Sequence, residues 1–181
     1  MGVALSSLGL PLVFGGMATS ILLSVVIRTS WWKRALSAVT IAGLGALLAV
    51  LVLQTWFGAI AGSFAMTWLG LTLGISAISL TIIGLESVLG YVGVALGAVT
   101  MLFVSNPLSG LATGWQWLPS GWGEFGQLLP VGAAGNVLRS AAYFDGAGMG
   151  ASPWVLAAWC TAGVLLLLLG AWRSSRSRQK A

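Results

Sequence analysis

The side chains able to carry out acid–base or nucleophilic chemistry are few in this chain, and they lie far apart along it. The acids are Glu86, Glu124 and Asp145, the single cysteine is Cys160, and there is no histidine, the commonest general base. The sequence also lacks a Gly-x-Ser-x-Gly nucleophile motif and a Gly-x-x-x-x-Gly-Lys-Ser/Thr phosphate loop. We therefore predict that the chain is not an enzyme and needs no metal or cofactor. Any ATP hydrolysis would belong to a partner chain.

The composition places the chain in a membrane. Hydrophobic residues make up 58% of it and charged residues 6%, whereas soluble domains average about 25% charged residues. Charges are costly in lipid, so the charged positions mark where the chain leaves the bilayer. The basic residues flank apolar runs and are not interleaved with exposed aromatics, which predicts contact with lipid headgroups and no nucleic-acid partner. The fold class predicted is all-α, a polytopic helical membrane protein with a single membrane domain over residues 1–181.

Five apolar runs are close to the roughly 20 residues that a spanning helix needs. The predicted spans are residues 8–27, 35–53, 63–83, 88–104 and 153–172. Glu86 would lie in a short connection over residues 84–87. The fourth span would stop at Asn106-Pro107, because a proline lacks an N–H and disfavours helical geometry in the residue before it.

Residues 106–150 are too apolar for a soluble domain and too broken by proline and glycine to span. This pattern predicts short helices that lie in the interface or re-enter the membrane. Pro130 suits the first position of one such helix, whose apolar face would carry Val131, Ala134, Leu138 and Ala141, with Arg139 off it.

The orientation follows from the excess of basic residues on cytoplasmic loops. Arg28, Lys33 and Arg34 form one basic cluster, and the tail at 173–181 forms another. Five spans make both clusters cytoplasmic, with the N-terminus and residues 106–150 external, in the plasma membrane. An external N-terminus without a signal sequence suggests a longer design with one more span upstream.

Several residues leave two interpretations open. Glu86 pairs either with a basic residue of a partner or of the 28–34 loop, or it is a solvated loop charge. Glu124, Arg139 and Asp145 form either an external polar cluster or separate interfacial charges. Three Gly-x-x-x-Gly pairs predict close helix packing within the fold, or else a dimer seam; they begin at Gly58, Gly70 and Gly93.

Residues 84–170 resemble the C-terminal membrane region of ABC-2-type permeases, in particular an actinobacterial branch related to YhgE/Pip-like membrane proteins. The resemblance rests on the stretches Gly84-Leu-Glu-Ser-Val-Leu-Gly90, Asn106-Pro-Leu-Ser-Gly110, Leu118-Pro-Ser-Gly-Trp122, Gly126-Gln-Leu-Leu-Pro130 and Leu138-Arg-Ser-Ala-Ala-Tyr-Phe-Asp-Gly146. The first half of the chain is similar in layout only. The family's first span is absent, and so is the large external domain of YhgE/Pip-like members.

The resemblance implies the permease subunit of an ABC-2-like exporter, which works as a homo- or heterodimer with a separate ATP-binding subunit. It implies a hydrophobic or amphipathic substrate and re-entrant helices in the last external loop. The segment that couples to the ATPase would comprise Arg28, Trp31, Trp32, Lys33 and Arg34. The alternative is a YhgE/Pip-like scaffold or receptor that transports nothing.

Overall fold

The structure is a computed structural model that describes residues 9–26, 30–58 and 62–178. The described residues form helices and turns and contain no strand, which confirms the all-α prediction. Four helices are long and apolar enough to cross a membrane: Trp31–Trp56, Phe64–Leu89, Tyr91–Leu108 and Ser152–Arg176. The first predicted span corresponds to a shorter apolar helix, Leu12–Val26.

The helices follow one another with short connections. Helix α1 is Gly9–Val26, α2 is Trp31–Leu51 and α3 is Phe64–Leu89. Helix α4 is Tyr91–Val99, and it continues through a π-helical stretch, Thr100–Ser105, into a last α-helical turn, Asn106–Leu108. A 3₁₀ turn at Trp115–Trp117 precedes α5, Trp122–Gln127; then come α6, Pro130–Tyr143, and α7, Ser152–Arg178.

Helix α3 is the centre of the bundle. Helices α1, α2, α4, α6 and α7 all pack against it. From Gly74 to Gly84 every residue of α3 is buried, so this stretch is covered by other helices on all sides. A helix that is apolar all round is suited to such a position, and the small residues of α3 let its neighbours come close.

Helices α1, α3 and α7 run in the same direction. A methyl group on Gly16 would meet Ile78, and Ser24 further along α1 contacts Glu86 further along α3. In α7, Gly163 lies against Leu80 of α3, and Gly170, further along α7, lies against Ser87, further along α3. The C-terminal ends of all three helices therefore lie at one end of the bundle.

Helix α2 runs in the opposite direction to α3. Arg34 at its start contacts Glu86, and Gly43 further along α2 lies near Thr72, earlier in α3. The start of α2 thus lies beside the end of α7, at what we call the basic end of the bundle. Basic residues at this end include Lys33, Arg34, Arg173 and Arg176. The described residues of the two basic clusters therefore lie at the same end of the bundle.

Helix α3 ends later than predicted. Glu86 does not lie in a connection over residues 84–87, because the helix continues to Leu89 and the chain reverses at Gly90. Gly90 has φ +65°, a conformation that costs a glycine little and other residues much more. The expectation was wrong because a charge was taken to mark the end of the span, whereas pairing with Arg34 lets Glu86 remain within the helix.

Two other predicted boundaries were also wrong. Pro107 does not stop the fourth span, which reaches Leu108 because the π-helical stretch before it widens the turn and accommodates the missing N–H. The second predicted span begins too late, since Trp31 already lies in the first turn of α2. The π-helical turn Val52–Trp56 then extends that helix past residue 53.

The segment at 106–150 folds into a compact hairpin. Helix α6 begins at Pro130, as predicted, and its predicted apolar face is buried. A methyl group on Gly74 of α3 would meet Ala134, and Gly74 lies about 15 Å along the helix from Phe64 at roughly 1.5 Å per residue. Helix α6 therefore enters to the depth of the spanning helices and does not lie across their ends.

Candidate functional site

An ion pair lies at the basic end of the bundle. The Nη2 atom of Arg34 is 2.5 Å from Oε2 of Glu86, and the Oγ of Ser24 donates a hydrogen bond to the same oxygen. The side chains of Arg34 and Glu86 are only 10% and 15% exposed. Three helices, α1, α2 and α3, thus contribute one polar side chain each to a single buried cluster.

A column of hydroxyl groups leads from the middle of the bundle to this cluster. The Oγ of Ser20 lies within hydrogen-bond distance of two carbonyl oxygens, that of Gly16 at 2.7 Å and that of Ser79 at 3.3 Å. One turn further, the Oγ of Ser24 lies 2.7 Å from the carbonyl oxygen of Ser20 as well as contacting Glu86. Serines at i and i+4 share a helix face, and this face of α1 packs on α3.

The cluster borders an open recess of about 220 Å³ lined by Ser24, Arg34, Glu86, Gly90 and Tyr91. The Nε of Arg34 is buried and has no hydrogen-bond partner. The pair is neutral as a whole, and one buried donor in it has no partner among the described residues.

This arrangement is suited to binding and to holding helices together. Charged groups inside a membrane domain are costly unless paired, and they commonly mark functional positions. No cysteine, histidine or second carboxylate joins the cluster in the part of the chain that the structure describes, and no group of three metal-ligating side chains occurs there. The structure therefore gives no metal site in residues 9–26, 30–58 and 62–178.

The predicted coupling residues divide into two sets. Arg34 is buried against Glu86, which agrees with the pairing interpretation of Glu86. Trp31, Trp32 and Lys33 are exposed on the first turn of α2, and the Nζ of Lys33 lies 5.6 Å from the centre of the Trp32 ring. Arg28 lies outside the described residues.

The structure does not bring Glu124, Arg139 and Asp145 together. Glu124 is exposed in the first turn of α5, and Asp145 is exposed in the turn after α6 with φ 49°. The Nη2 of Arg139 donates to the carbonyl oxygen of Gly110 at 3.5 Å. None of the three forms an ion pair with another within the described ranges, so they match the interpretation as separate interfacial charges.

Two of the glycine pairs pack inside the fold. Gly70 and Gly74 lie against α6, and Gly93 and Gly97 of α4 lie against α3. The pair that begins at Gly58 is different, because Gly58 lies in the turn after α2 with φ +55° and has nothing near its Cβ position. Packing within the fold therefore accounts for the two helical pairs.

Sequence reasoning missed the residues that complete the site. Ser24 was not distinguished from the other hydroxyl residues near span ends, and Gly90 and Tyr91 were assigned to the interior of a span. The spacing of Ser20 and Ser24 within an apolar run was the available signal, because it places two hydroxyls on one face. Nothing in the sequence indicated that this face meets Glu86.

Comparisons of the chain with models of known protein families, with curated proteins and with solved structures find no match. The resemblance to ABC-2-type permeases stays a prediction that rests on the sequence stretches quoted above.

Proposed function

We propose that this chain is the membrane subunit of an ABC-2-like exporter, and that it moves a hydrophobic or amphipathic substrate with energy from a separate ATPase. The observation that supports the proposal is the hairpin of α5 and α6. Helix α6 enters alongside α3 as far as Gly74 without crossing the bundle. Irregular backbone at this depth is tolerated only where protein or an aqueous cavity surrounds it, and the resemblance implies re-entrant helices in this segment.

The basic end would face the cytoplasm of the cell membrane and the ATPase. Trp31, Trp32 and Lys33 are exposed there, and the guanidinium group of Arg176 lies 3.8 Å from the centre of the Trp172 ring. Through Arg34, the first turn of α2 is tied to the end of the central helix α3. A partner that pushes on this turn would therefore move α3 as well as α2. The complex would contain two membrane subunits.

A site-specific crosslink in native membranes tests the proposal. A photoreactive amino acid replaces Trp32, which is 51% exposed at the basic end, and in a matched control it replaces Trp56, which is 82% exposed near the end of α2. We expect an ATP-binding protein to be captured from position 32 and not from position 56. Capture of only lipid, or of the chain itself, at position 32 would contradict an ATPase partner.

The rival function is a YhgE/Pip-like scaffold or receptor without an ATPase. One observation favours it: Trp31 to Arg34 form the first turn of a spanning helix, with no separate coupling helix in the described part of the chain. Reconstitution of the chain together with the protein captured at position 32 distinguishes the two functions. An exporter subunit should stimulate ATP hydrolysis by the protein captured at position 32, and this stimulation should depend on the exposed face of Trp31, Trp32 and Lys33.

A further inference from the structure

We propose that an open groove between α1 and α2 holds one acyl chain of an anionic phospholipid, and that the phosphate of this lipid binds Lys33 at the basic end of the groove. The proposal does not depend on the exporter function, because a scaffold in the same membrane would hold the lipid in the same way and the test contains no ATPase. It rests on the lining of the groove, on its length and on the charge at its end.

The lining of the groove is apolar. Its walls are Leu22, Leu23 and Val26 of α1 and residues between Leu36 and Ile41 of α2, and they enclose about 330 Å³. No charged residue belongs to the described lining. Leu22, Val26 and Leu36 are exposed, so the described part of the bundle does not cover the groove. Such a surface in a membrane is suited to a hydrocarbon chain.

The groove is as long as one leaflet of the bilayer is deep. Along α2, Ile41 is about 12 Å from Lys33 at a rise of roughly 1.5 Å per residue. Half of the hydrocarbon core is about 15 Å thick. A partner helix that crosses the membrane would contact the bundle over about 30 Å, whereas the lining ends near the middle of α2. The length therefore favours a lipid of the leaflet at the basic end over a second helix.

Lys33 lies where the headgroup of such a lipid would be. Lys33, Ser37 and Ile41 are spaced four residues apart, so they share one face of α2, and Ser37 and Ile41 line the groove. A helical side chain points toward the N-terminus of its helix, which directs Lys33 out of the groove toward the basic end. Its Nζ is 5.6 Å from the centre of the Trp32 ring, and tryptophan favours the membrane–water interface. A lysine at this depth attracts anionic headgroups.

The headgroup gives the selectivity. Lipid chains are as apolar as the groove, so a chain gains little free energy by entering it from the bilayer. The described acids do not neutralise Lys33, because Glu86 pairs with Arg34 and because Glu124 and Asp145 lie toward the other end of the bundle. Phosphatidylglycerol presents a phosphate without a cation, whereas phosphatidylcholine adds a trimethylammonium group that opposes the charge of Lys33. An anionic lipid is therefore the better ligand.

The test measures which lipids stay with the purified protein. The full chain is placed in nanodiscs that contain equal amounts of phosphatidylglycerol and phosphatidylcholine with the same acyl chains, and the retained lipids are counted by native mass spectrometry. We expect phosphatidylglycerol to be retained in about fivefold excess, the effect of one basic residue near the membrane surface. Equal retention of the two lipids would overturn the proposal without any variant having to fold.

One pair of variants locates the phosphate. Lys33→Gln should abolish the excess, a loss of about fivefold. The matched control is Arg176→Gln, which removes another exposed charge at the basic end, on α7 and outside the lining of the groove. It should leave most of the excess in place. An equal loss in both variants would show a general charge effect and overturn the assignment to Lys33.

A photoreactive lipid locates the acyl chain. Phosphatidylglycerol with a diazirine in one chain should crosslink to residues 22–26 and 36–41 of the wild-type protein. Ser37→Phe, which fills the groove, should remove these crosslinks, whereas Leu44→Phe, at an exposed position of α2 outside the lining, should not. Crosslinks spread evenly over the exposed leucines of α4 and α7 would overturn the groove as the site. A lipid-free dimer that Ser37→Phe dissociates would overturn the proposal and make a second copy of the chain the occupant.

Discussion

Arg34 lies in the first turn of α2 and Glu86 near the end of α3, and their side chains form an ion pair in which Nη2 and Oε2 are 2.5 Å apart. We expect Arg34→Met to lower the free energy of unfolding in detergent by about 2 kcal/mol, between the values for exposed and fully buried pairs. The loss arises because the buried carboxyl group of Glu86 is left without the guanidinium group that pairs with it. Replacing both residues with methionine should cost less than replacing Arg34 alone.

Lys33→Met serves as the control for that experiment. Lys33 is exposed beside Arg34, and surface substitutions usually change stability by less than about 0.5 kcal/mol. If the single and double variants lose the same free energy of unfolding, an unpaired carboxyl group at Glu86 carries no cost. That result would contradict a role for the pair in holding α2 to α3.

The contact between α3 and α7 depends on the absence of a side chain at Gly84. A methyl group there would lie 2.6 Å from the carbonyl oxygen of Gly163 and 2.9 Å from the Cβ of Leu166. We expect Gly84→Ala to destabilise the fold by about 1–3 kcal/mol through overpacking. Gly45→Ala is the control, because nothing lies within 4 Å of its Cβ position and alanine favours a helix by up to about 1 kcal/mol. The unfolding temperature should fall in Gly84→Ala and rise in Gly45→Ala. A shift in the same direction in both variants would contradict this packing.

The start of α6 is held by Ser105. Its buried Oγ accepts a hydrogen bond from the backbone N–H of Val131 at 3.1 Å. We expect Ser105→Ala to cost about 1–2 kcal/mol, since the N–H is left without an acceptor, and to speed hydrogen exchange at residues 131–134. Thr161→Ala is the control, because Thr161 is exposed and bonds only within its own helix. Unchanged exchange at residues 131–134 would mean that this bond does not hold α6.

The two ends of the bundle should be labelled from opposite sides of the membrane. In a Cys160→Ala background, Asp145→Cys and Ser175→Cys each introduce one exposed thiol, the first near the start of α3 and the second near the end of α7. A membrane-impermeant maleimide should label the cysteine at position 145 from one side of the membrane only, and the cysteine at position 175 from the other side only. Ala134→Cys, at a position 0% exposed, should react from neither side. Labelling of positions 145 and 175 from the same side would contradict a spanning bundle.

The positions of the charges predicted the ends of the bundle well. Lys33 and Arg176 were placed at the same end from sequence alone, and the shared direction of α3 and α7 puts them there. Pro130 was predicted to begin a helix, and it does. These predictions succeed because a charge in lipid and a proline in a helix interior each carry a large energetic cost that few contexts offset.

The central position of α3 could not be predicted from hydropathy. Its mean hydropathy is 1.9, below the 2.5 of Trp31–Trp56 and the 2.1 of Ser152–Arg176, although it is by far the most buried of the three. Lipid and protein interior are both apolar, so hydropathy does not separate a helix that faces one from a helix that faces the other. The site was missed for a related reason, because only the packing of α1 on α3 brings Ser24 to Glu86.

The reversal at Gly90 has a consequence for how the chain is made. Helices α3 and α4 are joined by a single residue, and between Phe64 and Leu108 the only charged residue is Glu86. This pair of helices therefore carries no basic signal of its own to fix its orientation. We expect the two helices to insert as one hairpin whose direction is set by the basic residues at the start of α2 and at the end of α7.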